Sequence, residues 1–372
     1  MTTRPTTRIV AAAVAGLLTA AALIATATAA PRTAQAADCG ALFDDFHYDS
    51  HTDADLAARG WTVRANQGGP GVPGAQWPAS NVSFPTVDGD RALRLTAQTD
   101  GTAAGTSHAE MFHQRKFYEG TYAARVRFSD APVVGADGNH LVETFFTITP
   151  LAYDMDPDYG EIDFEYLPNG GWGETGNIFY QTTWETYQND PWVADNIHTS
   201  QRRSFAGWHD LVFTVSGGEV RYYIDGALAA THGGKYYPET PMSINFNLWF
   251  IDLAAHTGGV SRYVQDVDWL YFSQNEVVAP AEAVDRVADL RADGVGHTDT
   301  VDPSCTPTGP TDPPTDPTDP PADCDGATAW QWSAVYLEGD RVTHAGRLWE
   351  ANWWTQGSEP GLTAQWRDLG PC

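Results

Sequence analysis

The sequence predicts an all-β chain, a sandwich or jelly roll with a second, small β domain behind it. Three observations point there. Short runs at 92–96, 121–128, 210–215 and 219–224 alternate apolar and polar residues, the two-residue period of a half-buried strand. Turn formers punctuate them, among them Ser216-Gly217-Gly218 and Asp225-Gly226. A tract at 306–323 repeats Thr-Asp-Pro from Thr311, Thr315 and Thr318; with nothing to bury, it is expected to be an extended spacer between a large domain at 38–305 and a small one at 324–372.

Taken from the start, Arg4 and Arg8 precede an apolar run from Ile9 to Ile24, and Ala34-Gln35-Ala36 offers a small-residue cleavage site. That order predicts a secretory signal peptide over 1–36 and an extracellular product. The run is short and alanine-rich for a membrane anchor, and no later segment suits a bilayer span. Four cysteines allow three pairings. Cys39 and Cys305 bracket the large domain, and Cys324 and Cys372 bracket the small one, so these two disulfides are expected. A formal charge of −27 argues against nucleic acid, whose binding relies on cationic side chains, and suits neutral glycans better than acidic ones. A single helix is expected at 281–292, where Val284, Val287 and Leu290 recur at helical spacing before Gly294.

The chemistry concentrates in Gly160-Glu161-Ile162-Asp163-Phe164-Glu165-Tyr166. On a strand, successive side chains face opposite ways. Ile162, Phe164 and Tyr166 can bury while Glu161, Asp163 and Glu165 form a ladder on the other face. Like charges so close resist joint ionisation, so at least one carboxyl should hold its proton at raised pH. A protonated carboxyl beside a carboxylate is the pair that glycosidic cleavage requires. The backbones of Glu161 and Glu165 lie about 13 Å apart at strand rise, which leaves open whether the carboxyls meet at the roughly 5–5.5 Å of retention or the roughly 6.5–9.5 Å of inversion. A solvated acidic face is the plain alternative. Asp154, Asp156, Asp158 and Glu165 also fall at calcium-loop spacing, but Tyr159 stands where that loop needs glycine, Pro157 interrupts it, and no helices flank it.

This segment resembles the active-site strand of glycoside hydrolase family 16, in the lichenase and xyloglucan-endotransglycosylase form that lacks the extra bulge residue of laminarinases. Further matches follow in order: Asn81-Val82-Ser83-Phe84, Leu93-Arg94-Leu95, Glu110, Phe117 to Tyr122 with Arg125, Phe145-Phe146-Thr147, Trp208-His209, Tyr223 to Gly226, and Asn247-Leu248-Trp249. The resemblance implies a curved jelly roll with a cleft and a retaining mechanism. Glu161 would be the nucleophile, Glu165 the acid/base, and Asp163 the group that steadies the nucleophile's charge. It implies substrate contacts from Glu110, Asn247 and Trp249, with Tyr159 where lichenases carry tryptophan and Asn177 at a cleft asparagine. Trp77, Trp172, Trp184 and Trp192 are further candidates for sugar stacking, since sugar rings present C–H faces to flat side chains. His209 and Asp225 are expected to be structural. Phe112 departs from the family, standing where lichenases have a substrate-contacting arginine. Asp268, before Trp269, resembles a structural calcium ligand on the convex side; no other cofactor is implied.

Residues 324–372 resemble the chitin- and cellulose-binding modules of carbohydrate-binding families 5 and 12. The carrying residues are Trp330, Val335-Tyr336, Gly339-Asp340-Arg341-Val342, Gly346, Glu350 to Thr355, Pro360 and Trp366. One of Trp353 and Trp354 should stack on polysaccharide with Tyr336 as companion, because neighbours on a strand face opposite ways. The sequence thus predicts a secreted monomeric endo-β-glycosidase cutting a neutral β-glucan of plant or fungal walls, tethered to insoluble chitin or cellulose. A transglycosylase would use the same residues, and a β-glucan lectin would keep the fold without turnover.

Overall fold

The strands begin with β1 (Ala41–Asp44), β2 (Trp61–Val63), β3 (Val82–Ser83), β4 (Leu93–Thr99), β5 (Ala109–His113) and β6 (Gly120–Phe128). Next come β7 (Leu141–Ile148), β8 (Glu161–Leu167), β9 (Ile178–Gln188), β10 (Val193–Gln201), β11 (Gly207–Ser216) and β12 (Glu219–Ile224). The series ends with β13 (Ala227–Gly233), β14 (Ser243–Phe250), β15 (Ser261–Gln274) and β16 (His297–Asp299), joined by helices α1 (Ala54–Ala58) and α2 (Pro280–Ala292). This is a computed structural model that describes residues 39–305 and, of the C-terminal region, 324, 326–330, 334–337, 339–344, 346–353, 355–356, 360 and 365–372. The expected signal peptide, the linker and Trp354 lie outside the described residues.

The strands form two antiparallel sheets. One runs β10-β9-β8-β7-β14-β5-β2; the other runs β13-β12-β11-β6-β15-β1-β16, with β4 added on β15 and β3 on β4. Large aromatic side chains fill the space between them, as expected for a sandwich whose inner faces interdigitate. Phe145 lies 5.2 Å from Phe246 and 6.3 Å from Phe164 within the first sheet, and 5.6 Å from Phe213 of the second, ring centre to ring centre. The expected runs at 121–128, 210–215 and 219–224 all lie in the second sheet. In the β12–β13 turn, Asp225 reverses the chain with φ +50°, accepts from the Asp210 N–H at 3.1 Å and holds His209 at 2.7 Å. Both residues are structural, as expected.

Helix α2 forms where the spacing predicted it. Pro280 stands at its start, where the missing N–H costs nothing. Gly294, at φ +74°, ends it, and the Val295 N–H closes on the Leu290 carbonyl at 2.9 Å. Its apolar side, Ala283 and Val287 with Val284 and Leu290, packs on Phe43, Val212, Trp269 and Tyr271 of the second sheet's outer face. Both expected disulfides are present, with Cα–Cα distances of 5.6 Å for Cys39–Cys305 and 5.7 Å for Cys324–Cys372. In the C-terminal module, strands Arg341–His344, Arg347–Ala351 and Trp366–Pro371 belong to a small sheet over a core of Tyr336, Val342, Trp349, Ala351 and Trp366. No helix among the described residues is long and apolar enough to cross a membrane.

One acid sits inside the sandwich. Glu143 of β7 has the inward parity of Leu141 and Phe145 and is fully buried. Its oxygens accept from the Ser129 N–H at 3.2 Å, and burial, aided by the charges of Asp130 and Asp266, pushes its pKa well above 4.5. A carboxyl that keeps its proton when folded favours folding most below its unfolded pKa, and that contribution fades as pH rises towards the folded value. Glu143→Gln should therefore gain stability over wild type progressively above pH 4.5 and match it in acid; urea midpoints from pH 4 to pH 8 would measure this.

Candidate active site

Strand β8 lies between β7 and β9, so its backbone is paired on both sides and its side chains are held in register. Ile162, Phe164 and Tyr166 are buried between the sheets. Glu161, Asp163 and Glu165 point to the other face, as the alternation requires. Each carboxyl receives a hydrogen bond from a neighbouring side chain. Tyr159 donates its hydroxyl to Glu161 Oε2, the Trp184 indole donates to Asp163 Oδ2 at 2.9 Å, and Thr182 donates to Glu165 Oε2 at 3.2 Å.

Burial is the main cause of the raised pKa of all three groups. Glu161 rises to about 7, even though hydrogen bonds from Tyr159 and Asp163 favour its charged form. Glu165 rises to about 8, with the Glu161 charge adding to burial. Asp163 rises well above its ordinary value between two glutamates and is hydrogen-bonded to Glu161. A neutral Asp163 donating to a charged Glu161 satisfies both, because the hydrogen bond lowers one pKa and raises the other. Between about pH 7 and about pH 8 the ladder then favours a carboxylate at 161 with protons at 163 and 165.

The rest of the cleft is built across the strands. Opposite Glu165 stands Thr144 of β7, whose hydroxyl donates to Asn247 Oδ1 at 2.7 Å. Asn247 in turn pairs with Glu110 of β5. Glu110 is bound at 2.7 Å by Arg64, whose guanidinium lies 3.8 Å over the Trp77 ring and also donates to the Gly68 and Gly69 carbonyls. Burial raises the Glu110 pKa, and Arg64 opposes it. Sequence reasoning missed Arg64. Arg64 stands just beyond β2, where its N–H meets the Glu110 carbonyl at 3.1 Å. Its only sequence signal was a cation one residue past a short strand, and strand pairing is needed to place it.

Several expectations need correction. Tyr159 is 2% exposed and serves as a hydrogen-bond donor to Glu161, with no open face for a sugar. Asn177 donates to the Tyr166 hydroxyl at 2.7 Å, and Tyr166 belongs to the inner face of β8; the cleft lies on the other face. Trp249 stays on the ladder's side of the sheet, 8% exposed, and packs with Trp77, Val142 and Leu167 as the cleft's apolar floor. Tyr336 is 8% exposed with its ring 5.1 Å from Trp366, so it belongs to the module's core and leaves polysaccharide contact to others. Trp353 is half-buried.

Asp268 does not fit a calcium ligand. It lies at the bulge where β15 shifts register against β6, between Val267 and Trp269. Its Oδ1 and Oδ2 already accept from Arg291 of α2 at 2.8 and 3.3 Å, and the same guanidinium binds Asp45 at 2.7 Å through Nε. Arg125 Nε adds a second positive charge 3.6 Å from Asp268. The Asp268 oxygens are thus already engaged by the Arg291 guanidinium, with Arg125, which also binds Asp210 at 2.8 Å, as a second cation beside them.

The two-sheet sandwich and its carboxylate ladder, taken with the matches that follow, make this a glycoside hydrolase acting on O-glycosyl bonds. The sequence profile of Glycosyl hydrolases family 16 matches residues 75–271, more than half of the chain, and the chain belongs to that family. Residues 329–367 match Carbohydrate-binding module family 5/12. A "Beta-glucanase" of Paenibacillus macerans is 26% identical over 210 residues, 55% of this chain and 79% of the relative. An "Endo-1,3-1,4-beta-glycanase ExoK" of Rhizobium meliloti (strain 1021) is 28% identical over 211 residues, 56% and 70% of the two chains. In the module, "Chitinase A" of Pseudoalteromonas piscicida is 51% identical over 45 residues, 12% of this chain and 6% of that relative.

Proposed function

We propose that the protein is a secreted, retaining endo-β-glucanase that cuts a neutral β-glucan of plant or fungal walls. The observation that carries this is the Glu161–Asp163–Glu165 ladder with its protons partitioned as described. Glu161 attacks the anomeric carbon, and the glycosidic C–O bond breaks as Glu165 gives its proton to the leaving oxygen. The Glu161 ester is then cleaved by water, whose proton returns to Glu165 and whose oxygen becomes the product's anomeric hydroxyl. Asp163 keeps its proton and steadies the carboxylate of Glu161. Names carried by the relatives support glucan as substrate class, and the module supports an anchor on chitin or cellulose. Holding the enzyme on an insoluble wall raises the local concentration of chains within its reach.

A panel of laminarin, lichenan, xyloglucan, galactan and chitin oligosaccharides, with product sizing and NMR of the newly formed anomer, tests this. Internal cleavage of a β-glucan giving the β-anomer is expected. Initial release of the α-anomer, or cleavage confined to galactan or chitin oligosaccharides, would overturn it. Chain-length redistribution outrunning reducing-end release would reassign the activity to glycosyl transfer.

A further inference from the structure

The segment between β8 and β9 carries a residue that its backbone does not favour. Trp172 has φ +52°, in the left-handed region where a bulky side chain is an outlier. Gly170–Gly171 and Glu174–Thr175 form a two-rung ladder around it. A Cβ on Gly170 would lie 2.3 Å from the Glu174 carbonyl oxygen, and one on Gly171 would lie 2.3 Å from Ile251 Cδ1. The loop is therefore closed tightly on itself and seated on the residue that follows β14. Its glycines fix where Trp172 stands, and Trp172 absorbs the unfavourable dihedral.

Core packing does not account for the residue. The indole is 50% exposed. Its ring centre lies 6.0 Å from Trp249 and 6.3 Å from Tyr180, tilted 51° and 53°, so neither neighbour covers its faces. Those neighbours locate it. Tyr180 is the β9 partner of Glu165, and Trp249 is the β14 partner of Val142 on the cleft's apolar floor. Trp172 thus reaches from β9 to β14 beside the end of β8 that carries the proton donor. A strained backbone that holds a half-open aromatic at a cleft is an outlier from which function can be argued.

We propose that Trp172 is a substrate-binding and specificity-determining residue, whose open face takes the C–H face of a pyranose in a neutral β-glucan alongside Glu165. The assignment rests on the reading of the ladder as a β-glucan-cleaving site. Pyranose C–H faces are apolar and flat enough to pack on an indole, and a ring held in advance loses little freedom on binding.

The full-length wild type, Trp172→Gly, Trp172→Ala and Trp172→Phe are compared on lichenan and laminarin, with kcat, KM and melting temperature measured for each. Gly and Ala both remove the ring, but only Gly relaxes the left-handed backbone. Both should raise KM about tenfold, the scale of one lost aromatic contact, with kcat little changed. Ala should melt below Gly, and Phe should recover most of the lost affinity. Wild-type KM in Trp172→Gly would overturn the proposal while leaving the glucanase reading intact. A KM that merely tracks melting temperature across the variants, with no recovery by Phe, would also overturn it in favour of a packing role. A wild type that cleaves neither polymer would take down the glucanase reading and this proposal together.

Discussion

Glu161→Gln is expected to lower kcat on β-glucan by about 10⁴-fold or more, because the amide cannot form the glycosyl ester. Retention of the variant on insoluble chitin should be unchanged, since that depends on the module. The wild-type pH profile should share the same origin. Activity needs Glu161 ionised, so it rises through about 7, and it needs Glu165 protonated, so it falls through about 8. Because the groups interact, the two limbs belong to the ladder as a whole. Replacing Glu161 also removes the charge that helps raise Glu165, so residual activity with a good leaving group should lose its alkaline limb at lower pH. Substantial turnover by Glu161→Gln, or a wild-type optimum in strong acid, would remove the nucleophile assignment.

What was legible in the sequence follows from which faces are buried. Strand β12 shows its two-residue period because one face stays wet, whereas β6 shows it only at Arg125 and Arg127, since Thr121 and Ala123 on the same face are buried. Strand β7, Leu141–Ile148, has no such signal, because residues on its outer face, such as Val142 and Phe146, are covered by the cleft's own side chains. The acidic ladder was readable because three carboxylates at alternate positions have a single chemical sense on a strand. Pairing partners were not: Arg64 reaches Glu110 from 46 residues away, and nothing local marks it. Tyr159 and Asn177 were misplaced for a related reason. A matching position gives the residue type but not the direction of its side chain, and here one turns to donate to Glu161 and the other passes to the inner face of β8. The special backbone at Trp172 was hidden as well, since a tryptophan among glycines can sit on a turn without being strained.

Arg291→Met is expected to cost about 2–4 kcal/mol, somewhat less than breaking a fully buried ion pair because the site is partly open. That corresponds to a fall of roughly 5–10 °C in melting temperature for a domain of this size. Methionine keeps the apolar stem and removes the charge. Asp45 is then the stranded group: it is 4% exposed, and burial already raises its pKa although Arg291 opposes that rise. A buried carboxylate left with only His47, 3.7 Å away, favours its neutral form, so the deficit should be greatest at neutral pH and shrink as acid protonates Asp45. Calorimetry of both proteins between pH 4 and pH 8 would show the two melting temperatures converging in acid. Helix α2 shares the loss, because Arg291 is its last-turn tie to β15 and to the residue after β1. Since the guanidinium already serves the carboxylates, EDTA should leave the wild-type melting temperature where it is. A chelator-induced fall that calcium restores would place a cation at Asp268 and overturn the role given to Arg291.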